Sequence, residues 1–344
     1  MTVSTAGPAS TAGPPSPAGT VPWRRSGGAR AWLPITRYLG ARAGQAVIAL
    51  LGVTTAVFFA LRLSGDPAQL LAPQNATQQQ IDQIRQQLGL NVPVWRQYLN
   101  YLGDLLHGNL GYSYVQHEPA LTLLTQRLPY TVNLTMAALA LTIVLGVGAG
   151  MIMALTRGGW GERLLMPLVL AGQAMPAFWT GILLILVFSV TFHVLPSSGD
   201  NTATSLIMPA VTLASLSAAT VARVTRGAVL EQLSRDYIRT ARSKGAGTWR
   251  LIWRHLLRNV SVPVLTVLAL ETANLLGGSV VTEMIFAWPG VGQLTIQSVN
   301  DRDFPVVQAI VILAATIYIV INLITDIIYG FIDPRIAVTS TEAG

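Results

Sequence analysis

Cysteine is absent from the 344 residues of the chain, which excludes disulfide bonds, thiolate metal sites and cysteine nucleophiles. Histidine is scarce: the four histidines stand far apart, and no two have the His-Glu-x-x-His spacing of a zinc hydrolase. Lys244 is the only lysine, and Gly245 follows it where a phosphate-binding loop needs Ser or Thr. The sequence therefore predicts neither a metalloenzyme nor an ATP-binding chain of that type.

Charge is also scarce, because charged residues make up 11% of the chain against about 25% in soluble domains. Hydrophobic residues make up 51%, and the mean hydropathy is +0.51. The apolar runs are long enough for helices that cross a bilayer. We expect an all-α polytopic membrane protein with six transmembrane helices, with a kink in the third at Pro176. The six predicted spans are 44–63, 129–155, 164–192, 206–222, 260–288 and 306–331.

The remaining polar stretches define tails and one large connection. Residues 1–38 are rich in Ala, Gly, Pro, Ser and Thr up to about residue 22, so we expect a disordered tail whose arginines flank the first span. The transmembrane domain is predicted to cover 39–335, with a short tail at 336–344. Segment 64–128 is predicted to lie outside the cytoplasm, with helices at 78–88 and 94–106. The second is amphipathic, with a Trp- and Tyr-rich face typical of an interfacial anchor.

A basic stretch dominates the C-terminal half. Loop 223–258 carries nine of the 22 basic residues, and most of the others flank the same side of the predicted spans. Short basic loops stay in the cytoplasm, so both termini are predicted to be cytoplasmic. Ser234 suits a helix cap, Asp236 suits a first helical turn, and Gly245 with Gly247 suits a helix end. Three roles remain open from these residues: a solvated loop, a surface for anionic lipids, and a docking site for a cytoplasmic protein.

The loop sequence DYIRTARSKGAGTWRLIWRHLLRNVSVP resembles the coupling loop of ABC-transporter permeases that import dipeptides, oligopeptides and nickel. That branch commonly reads D-Y-x-R-T-A-R-x-K-G, and every fixed place matches here. The broader family pattern is Glu-Ala-Ala, three residues, then Gly, and only Ala241 and Gly245 match it. The stretches LGLNVPVWRQYLNYLGDLLHGNLGYSY, GGSVVTEMIFAWPGVGQLTIQSVNDRDFPVVQA and INLITDIIYGFIDPRI are similar to other parts of such permeases. The resemblance covers about residues 38–336.

This resemblance implies the type I ABC importer transmembrane fold in a bacterial inner membrane. It implies a second permease of the dipeptide or oligopeptide type, ATPase subunits that bind ATP and Mg²⁺, and an extracytoplasmic substrate-binding protein. This chain itself would be no enzyme and would hold no cofactor or nucleic acid. The implied ATPase-coupling residues are Asp236, Tyr237, Ile238, Arg239, Thr240, Ala241, Arg242, Ser243, Lys244 and Gly245, with Ile238 and Ala241 as buried contacts with the ATPase.

Polar residues inside the spans are candidates for a translocation path, because they are costly in lipid. They are Gln173, Glu271, Asn274 and Glu283, with Asn322 and Asp326 as weaker candidates. The alternative role for each is to join helices by hydrogen bonds. Glycines 146, 148, 150, 277 and 278 are expected to permit close helix approach. The expected cargo is short peptides. The alternative function is an ion-coupled secondary transporter that uses Glu271 or Asp326, without an ATPase.

Overall fold

The structure, a computed structural model, describes residues 33–63, 65–73, 75–245, 247–252 and 256–332. Of the predicted tails, residues 1–32 of the first and all of 336–344 lie outside the described residues, while residues 33–38 form the start of a helix. The chain divides into two compact units, 1–45 and 46–344, and the packing below is that of the second. The helices are α1 Leu33–Leu63, α2 Pro67–Leu71, α3 Gln78–Gln87, α4 Val94–Leu106, α5 Ala120–Leu141, α6 Gly148–Leu155, α7 Trp160–Ala174, α8 Ala177–Leu184, α9 Ile207–Leu233, α10 Asp236–Ser243, α11 Thr248–Leu251, α12 Leu257–Ile285, α13 Val291–Asn300 and α14 Phe304–Ile332.

Short helices α2 to α4 fill the connection after α1, as the sequence predicts. Thr77 begins α3 through a capping box, in which its hydroxyl accepts from the N–H of Gln80 and the Gln80 side chain accepts from the N–H of Thr77. Arg85 of α3 reaches back to Asp66, the N-terminal cap of α2, at 2.5 Å. Burial opposes ionisation of Asp66, but the bonds from Arg85 and the Ala68 N–H outweigh it and lower the Asp66 pKa.

Helix α4 packs against the end of α1 through aromatic rings. Tyr98 and Thr55 share a hydrogen bond of 2.6 Å between their hydroxyls. Tyr101 stacks on Phe58 with ring centroids 5.6 Å apart, and Phe58 is buried. The bounds of α4 are those predicted, but its apolar residues divide between two faces. Trp95 is 60% exposed and Leu106 is 88% exposed, so these two remain free of the packing on α1.

Within the described residues, five helices are long and apolar enough to cross a membrane, and there are six such segments when one bent pair is counted as a single span. The five are Gly44–Leu63, Ala120–Leu155, Ala203–Leu233, Leu257–Ile285 and Phe304–Ile324. The first has the predicted bounds. The second begins nine residues before the predicted start at Pro129, because Leu123 and Leu124 are buried against α13 and α14. The fourth predicted span, 206–222, continues as helix to Leu233, so the first part of the basic loop is helical.

The third crossing is broken where the sequence predicts only a kink. Helix α7 ends at Ala174, Met175 and Pro176 are extended, and α8 leaves at 113° to α7. Proline has no N–H to donate, and it disfavours helical geometry in the residue before it. The pair nevertheless packs along the middle of α9. Glu162 bonds to Arg226, Gly172 approaches Ser215, and Gly181 approaches Thr212. The two halves therefore follow α9 from residue 226 to residue 212.

Helix α9 is the centre of the bundle, and α5, α6, α7, α8 and α12 all pack on it. Two of the predicted contact glycines lie against it. A Cβ on Gly146 would lie 2.9 Å from the carbonyl oxygen of Ala218, and one on Gly150 would lie 2.5 Å from that of Ala222. Gly148 and Gly277 face open space, and Gly278 makes only ordinary contact with Leu213. The prediction of close approach is thus confirmed at Gly146 and Gly150, whereas Gly148 and Gly277 approach no helix within the described part of this chain.

Candidate functional site

Helix α10 forms a small exposed element at the end of α9. Its eight residues have a strongly polar face, where Asp236, Arg239, Thr240 and Arg242 are exposed. Asp236 stands in the first turn and Arg242 in the last, the arrangement that the helix dipole favours. Gly245 follows with φ of +79°, which glycine adopts at little cost. The predicted helix and its glycine stop are therefore present.

The start of α10 differs from the expectation. Ser234 was expected to cap α10, but it closes α9 and its hydroxyl donates to the Glu231 carbonyl at 2.7 Å. Arg235 takes the N-terminal position of α10, and its side chain makes no capping bond there. The cause is the continuation of α9 to Leu233. Two residues, Ser234 and Arg235, then remain between the two helices, and only Arg235 is extended.

Ile238 anchors α10 to the subunit itself. Its side chain is 0% exposed and belongs to a buried cluster with Leu251, Leu256 and Val260. The expectation that Ile238 is a buried contact with an ATPase is therefore wrong, because its surface is already covered by α11 and the start of α12. Ala241 packs on the same cluster and is partly buried. The surface open to a partner is the polar face of α10.

Hydrogen bonds also hold the end of α9 that adjoins α10. Glu162 at the start of α7 accepts from Arg226 Nε at 2.9 Å and from the Gly158 N–H at 2.6 Å. Tyr237 of α10 donates to the Gln232 side chain at 2.8 Å and accepts from Asn259 at 3.1 Å. These bonds link α7, α9, α10 and α12 at one end of the bundle, hereafter the α10 end. The sequence carries no signal for the Glu162–Arg226 pair, since 64 residues separate its members.

At the opposite end of the bundle, the α13 end, Glu283 organises the chain. Its carboxylate is 0% exposed, and it accepts from Thr131 at 2.7 Å, from the Gly292 N–H at 2.6 Å and from the Gln293 N–H at 3.1 Å. It thereby caps the N-terminus of α13. The sequence predicts Glu283 as a candidate for the translocation path, but both of its carboxylate oxygens accept hydrogen bonds from other residues of this chain. Its observed position is that of a structural acceptor.

The other path candidates lie on different surfaces. Glu271 is 8% exposed and accepts from the Ser217 hydroxyl at 2.6 Å, which joins α12 to α9. Asn274, one turn further along α12, is exposed. Gln173 is partly exposed in the last turn of α7, beside the break at Pro176. The structure brings Glu271 and Asn274 onto one helix. Asn322 is partly exposed on α14, and the Asp326 side chain lies outside what the structure describes.

A buried carboxylate fastens the connection between α4 and α5 to the start of α14. Asp303, 1% exposed, accepts from the Ser113 hydroxyl, and 190 residues separate the two. Burial raises the Asp303 pKa, while the bond from Ser113 opposes the rise. In the part of the chain that the structure describes, no three His, Asp or Glu side chains gather as a metal site. The polar groups therefore join helices and do not form a reaction centre.

Comparison with known proteins agrees with this arrangement. Residues 146–338 match the family of binding-protein-dependent transport system inner membrane components, and residues 35–135 match the N-terminal part of such membrane components. The glutathione transport system permease protein GsiC of Escherichia coli O6:H1 is 41% identical over 285 residues, which cover 83% of this chain and 93% of that protein. A probable peptide ABC transporter permease, y4tP of Sinorhizobium fredii, is 39% identical over 300 residues, or 85% and 95% of the two chains.

Solved structures show the same fold. An inward-facing structure of the MetNI methionine ABC transporter aligns with a TM-score of 0.54 at 20% identity, over 62% of this chain and 97% of that chain. The chain belongs to the binding-protein-dependent transport system inner membrane component family, in the branch of ABC permeases for peptide, oligopeptide and nickel import.

It is a multi-pass inner-membrane permease subunit of an ABC importer and not an enzyme. ATP hydrolysis belongs to partner subunits, and the importer also contains a partner permease and a substrate-binding protein. The alternative of an ion-coupled transporter without an ATPase has no support in these relatives.

Proposed function

We propose that this permease subunit transports short peptides and that α10 couples this transport to ATP hydrolysis by the partner subunits. The observation that carries the coupling role is the division of α10 into a buried anchor, Ile238, and an exposed polar face. A helix that transmits motion needs both a rigid attachment and a free surface. Ties from Tyr237 to Gln232 and Asn259 add to the attachment.

The proposed orientation places the α10 end in the cytoplasm, with both termini on that side and the α2–α4 segment outside. The support is the concentration of arginines at the α10 end, since basic loops are retained in the cytoplasm. The transmembrane domain is proposed to cover 39–335, with the coupling loop at 223–258. The second permease is proposed to be of the dipeptide or oligopeptide type.

The proposed translocation path follows α12 and the break in the third crossing. Asn274 supports it best, because it is an exposed polar side chain in a span and would otherwise face lipid. Gln173 at the break is a second contributor. Glu271 lies one turn from Asn274, and its bond from Ser217 would hold its charge beside the path. A path with isolated polar groups suits peptides of varied side chains, since a tight site would retain its cargo.

Peptide cargo is supported by the relatives, one of which is named a probable peptide permease and another a glutathione permease. The test is ATP-dependent uptake of labelled di- to pentapeptides into proteoliposomes that hold the full importer and its binding protein. We expect uptake of at least one peptide length. Uptake of a nickel chelate or haem without any peptide would remove the peptide assignment.

Coupling is tested in the same proteoliposomes with Arg239→Glu, which reverses one exposed charge on α10. We expect transport and transport-linked ATP hydrolysis to fall by about tenfold, which corresponds to about 1.4 kcal/mol of lost coupling. The control is Arg223→Glu, the same change at an exposed position of α9 outside α10. Equal activity of the two variants would contradict a coupling role for α10.

A further inference from the structure

A cavity of about 190 Å³ lies where α1 ends, between the α2–α4 segment and the start of α14. One wall is apolar and aromatic, and includes Phe58, Leu61 and Phe304. The other carries polar groups: the Arg62 guanidinium, the Asp104 carboxylate and the Tyr114 hydroxyl. None of these groups has a part in coupling or in the proposed path. The cavity thus combines an apolar wall with one cation and one carboxylate.

Arg62 is the unusual member of this cavity. It is half-buried, and its guanidinium lies over the Phe58 ring at 5.2 Å from the centroid. Among the described residues, no carboxylate oxygen lies within 4.0 Å of Arg62. Asp66, four residues along the chain, attracts Arg62 electrostatically but forms its direct ion pair with Arg85 at 2.5 Å. A half-buried cation without an ion-pair partner attracts an anion from outside the chain.

The position of Arg62 decides which anion is available. It is the penultimate residue of a membrane-spanning segment that ends at Leu63, so the guanidinium lies at the level of lipid headgroups. Exposed apolar side chains occur at the end of α1 and on α4, which packs on α1: Leu63 at 88%, Leu106 at 88% and Trp95 at 60%. Tryptophan favours the membrane interface, and exposed apolar residues at that depth contact acyl chains. Phosphate groups of phospholipids occur at this depth on either side of a membrane.

We propose that this cavity binds the headgroup of one phospholipid with a phosphate and a primary ammonium, the phosphate paired with Arg62 and the ammonium with Asp104. The aromatic wall receives the glycerol region, and the acyl chains lie along the exposed apolar surface of α1, which includes Phe59. An aminated headgroup is preferred over an anionic one such as phosphatidylglycerol, because only the ammonium offers a cation that pairs with Asp104. The proposal holds for either orientation of the chain in the membrane, and it does not rest on the cargo.

Native mass spectrometry of the purified importer tests the site. The complex is extracted from nanodiscs of equal parts phosphatidylethanolamine and phosphatidylglycerol, and the lipid that stays bound is identified. We expect one retained phosphatidylethanolamine per permease, and at least fivefold less retention in Arg62→Gln. The matched control is Arg96→Gln, a nearby exposed arginine on α4 that does not line the cavity, and it should retain the lipid. Equal retention by Arg62→Gln and Arg96→Gln would overturn the proposal.

A second variant, at Asp104, keeps the test decisive if Arg62→Gln fails to assemble. Asp104 is exposed, so Asp104→Asn is expected to assemble normally. It should lose the preference for phosphatidylethanolamine over phosphatidylglycerol by at least threefold, and an unchanged preference would overturn the proposal. Displacement of the retained lipid by a labelled peptide would also overturn it, because the cavity would then be a cargo site.

Discussion

Thr131 donates a 2.7 Å hydrogen bond to Glu283 across 152 residues of sequence and joins α5 to the last turn of α12. The same hydroxyl accepts from the Val291 N–H at 2.8 Å. Glu283 in turn accepts from two N–H groups of α13. A single buried carboxylate therefore fixes three helices at the α13 end. Gly290 is required beside it, since a Cβ there would lie 2.4 Å from the carboxylate.

Removal of this carboxylate should destabilise the subunit strongly. Glu283→Ala leaves the Thr131 hydroxyl and two N–H groups without an acceptor, and each buried unsatisfied donor costs about 1–3 kcal/mol. We expect a clear drop in melting temperature of the detergent-purified complex. Met284→Ala is the control, because Met284 is the next residue along α12 and is 53% exposed. A Glu283→Ala complex as stable as the control would show that Glu283 has no structural role.

The contact of α6 with α9 can be tested by two neighbouring glycines. Gly150→Ala places a Cβ 2.5 Å from the Ala222 carbonyl and 2.6 Å from Thr225 Cβ, and such overpacking costs about 1–3 kcal/mol. Gly148→Ala has open space, and it should stabilise α6 by up to about 1 kcal/mol through helix propensity. Thermal unfolding of the two variants should therefore shift in opposite directions. Shifts of the same sign and size would mean that α6 does not touch α9 as described.

The end of α10 gives a prediction about backbone conformation. Gly245 has φ of +79°, where an L-residue costs roughly 1–2 kcal/mol and a β-branched one more. Gly245→Val should therefore alter the exit from α10 and reduce transport-linked ATP hydrolysis, while the complex still assembles. Gly247→Val is the matched control. A Cβ on Gly247 would also have no heavy atom within 4 Å, but Gly247 does not have the positive φ of Gly245. A fully active Gly245→Val variant would contradict the role of this end of the helix.

The orientation prediction uses the absence of native cysteine. Gln78, Thr202 and Gly247 are all exposed in the structure. In intact cells, Gln78→Cys and Thr202→Cys should react with a membrane-impermeant thiol reagent, and Gly247→Cys should react only after permeabilisation. Mass-shift labelling reads out each site without background from other thiols. Reaction at position 247 from outside would reverse the proposed orientation.

Local signals in the sequence predict much of this structure. The Thr77 cap and the periodic apolar residues of α4 give the bounds of α3 and α4 within one residue. Gly245 marks the end of α10 because only glycine tolerates its φ at little cost. Pro176 indicates the break in the third crossing. The angle between α7 and α8 could not be predicted, because their sequences do not specify how each helix packs on α9.

Two of the misses have a common cause in contacts between distant residues. Ile238 is typical of a docking residue, but α11 and α12 cover it. Glu283 is typical of a path residue, but Thr131 and α13 bind it. The partners lie on other helices, so the roles of these two residues depend on packing that a local pattern does not contain. Ser234 was missed for a local reason, because α9 continues to Leu233 and Ser234 therefore ends α9 instead of starting α10.

The length of α9 has a mechanical consequence. Its 27 residues make a rod of about 40 Å, with close backbone contacts at Gly146 and Gly150 along one side. A tilt of about 5° about one end of such a rod displaces the other end by about 3.5 Å, and α10 is fastened to that far end through Ile238. A small angular change near the α13 end would thus move α10 by a distance as large as a side chain. If α10 couples to an ATPase as proposed, the long helix α9 would amplify small rotations into movements of the eight-residue α10.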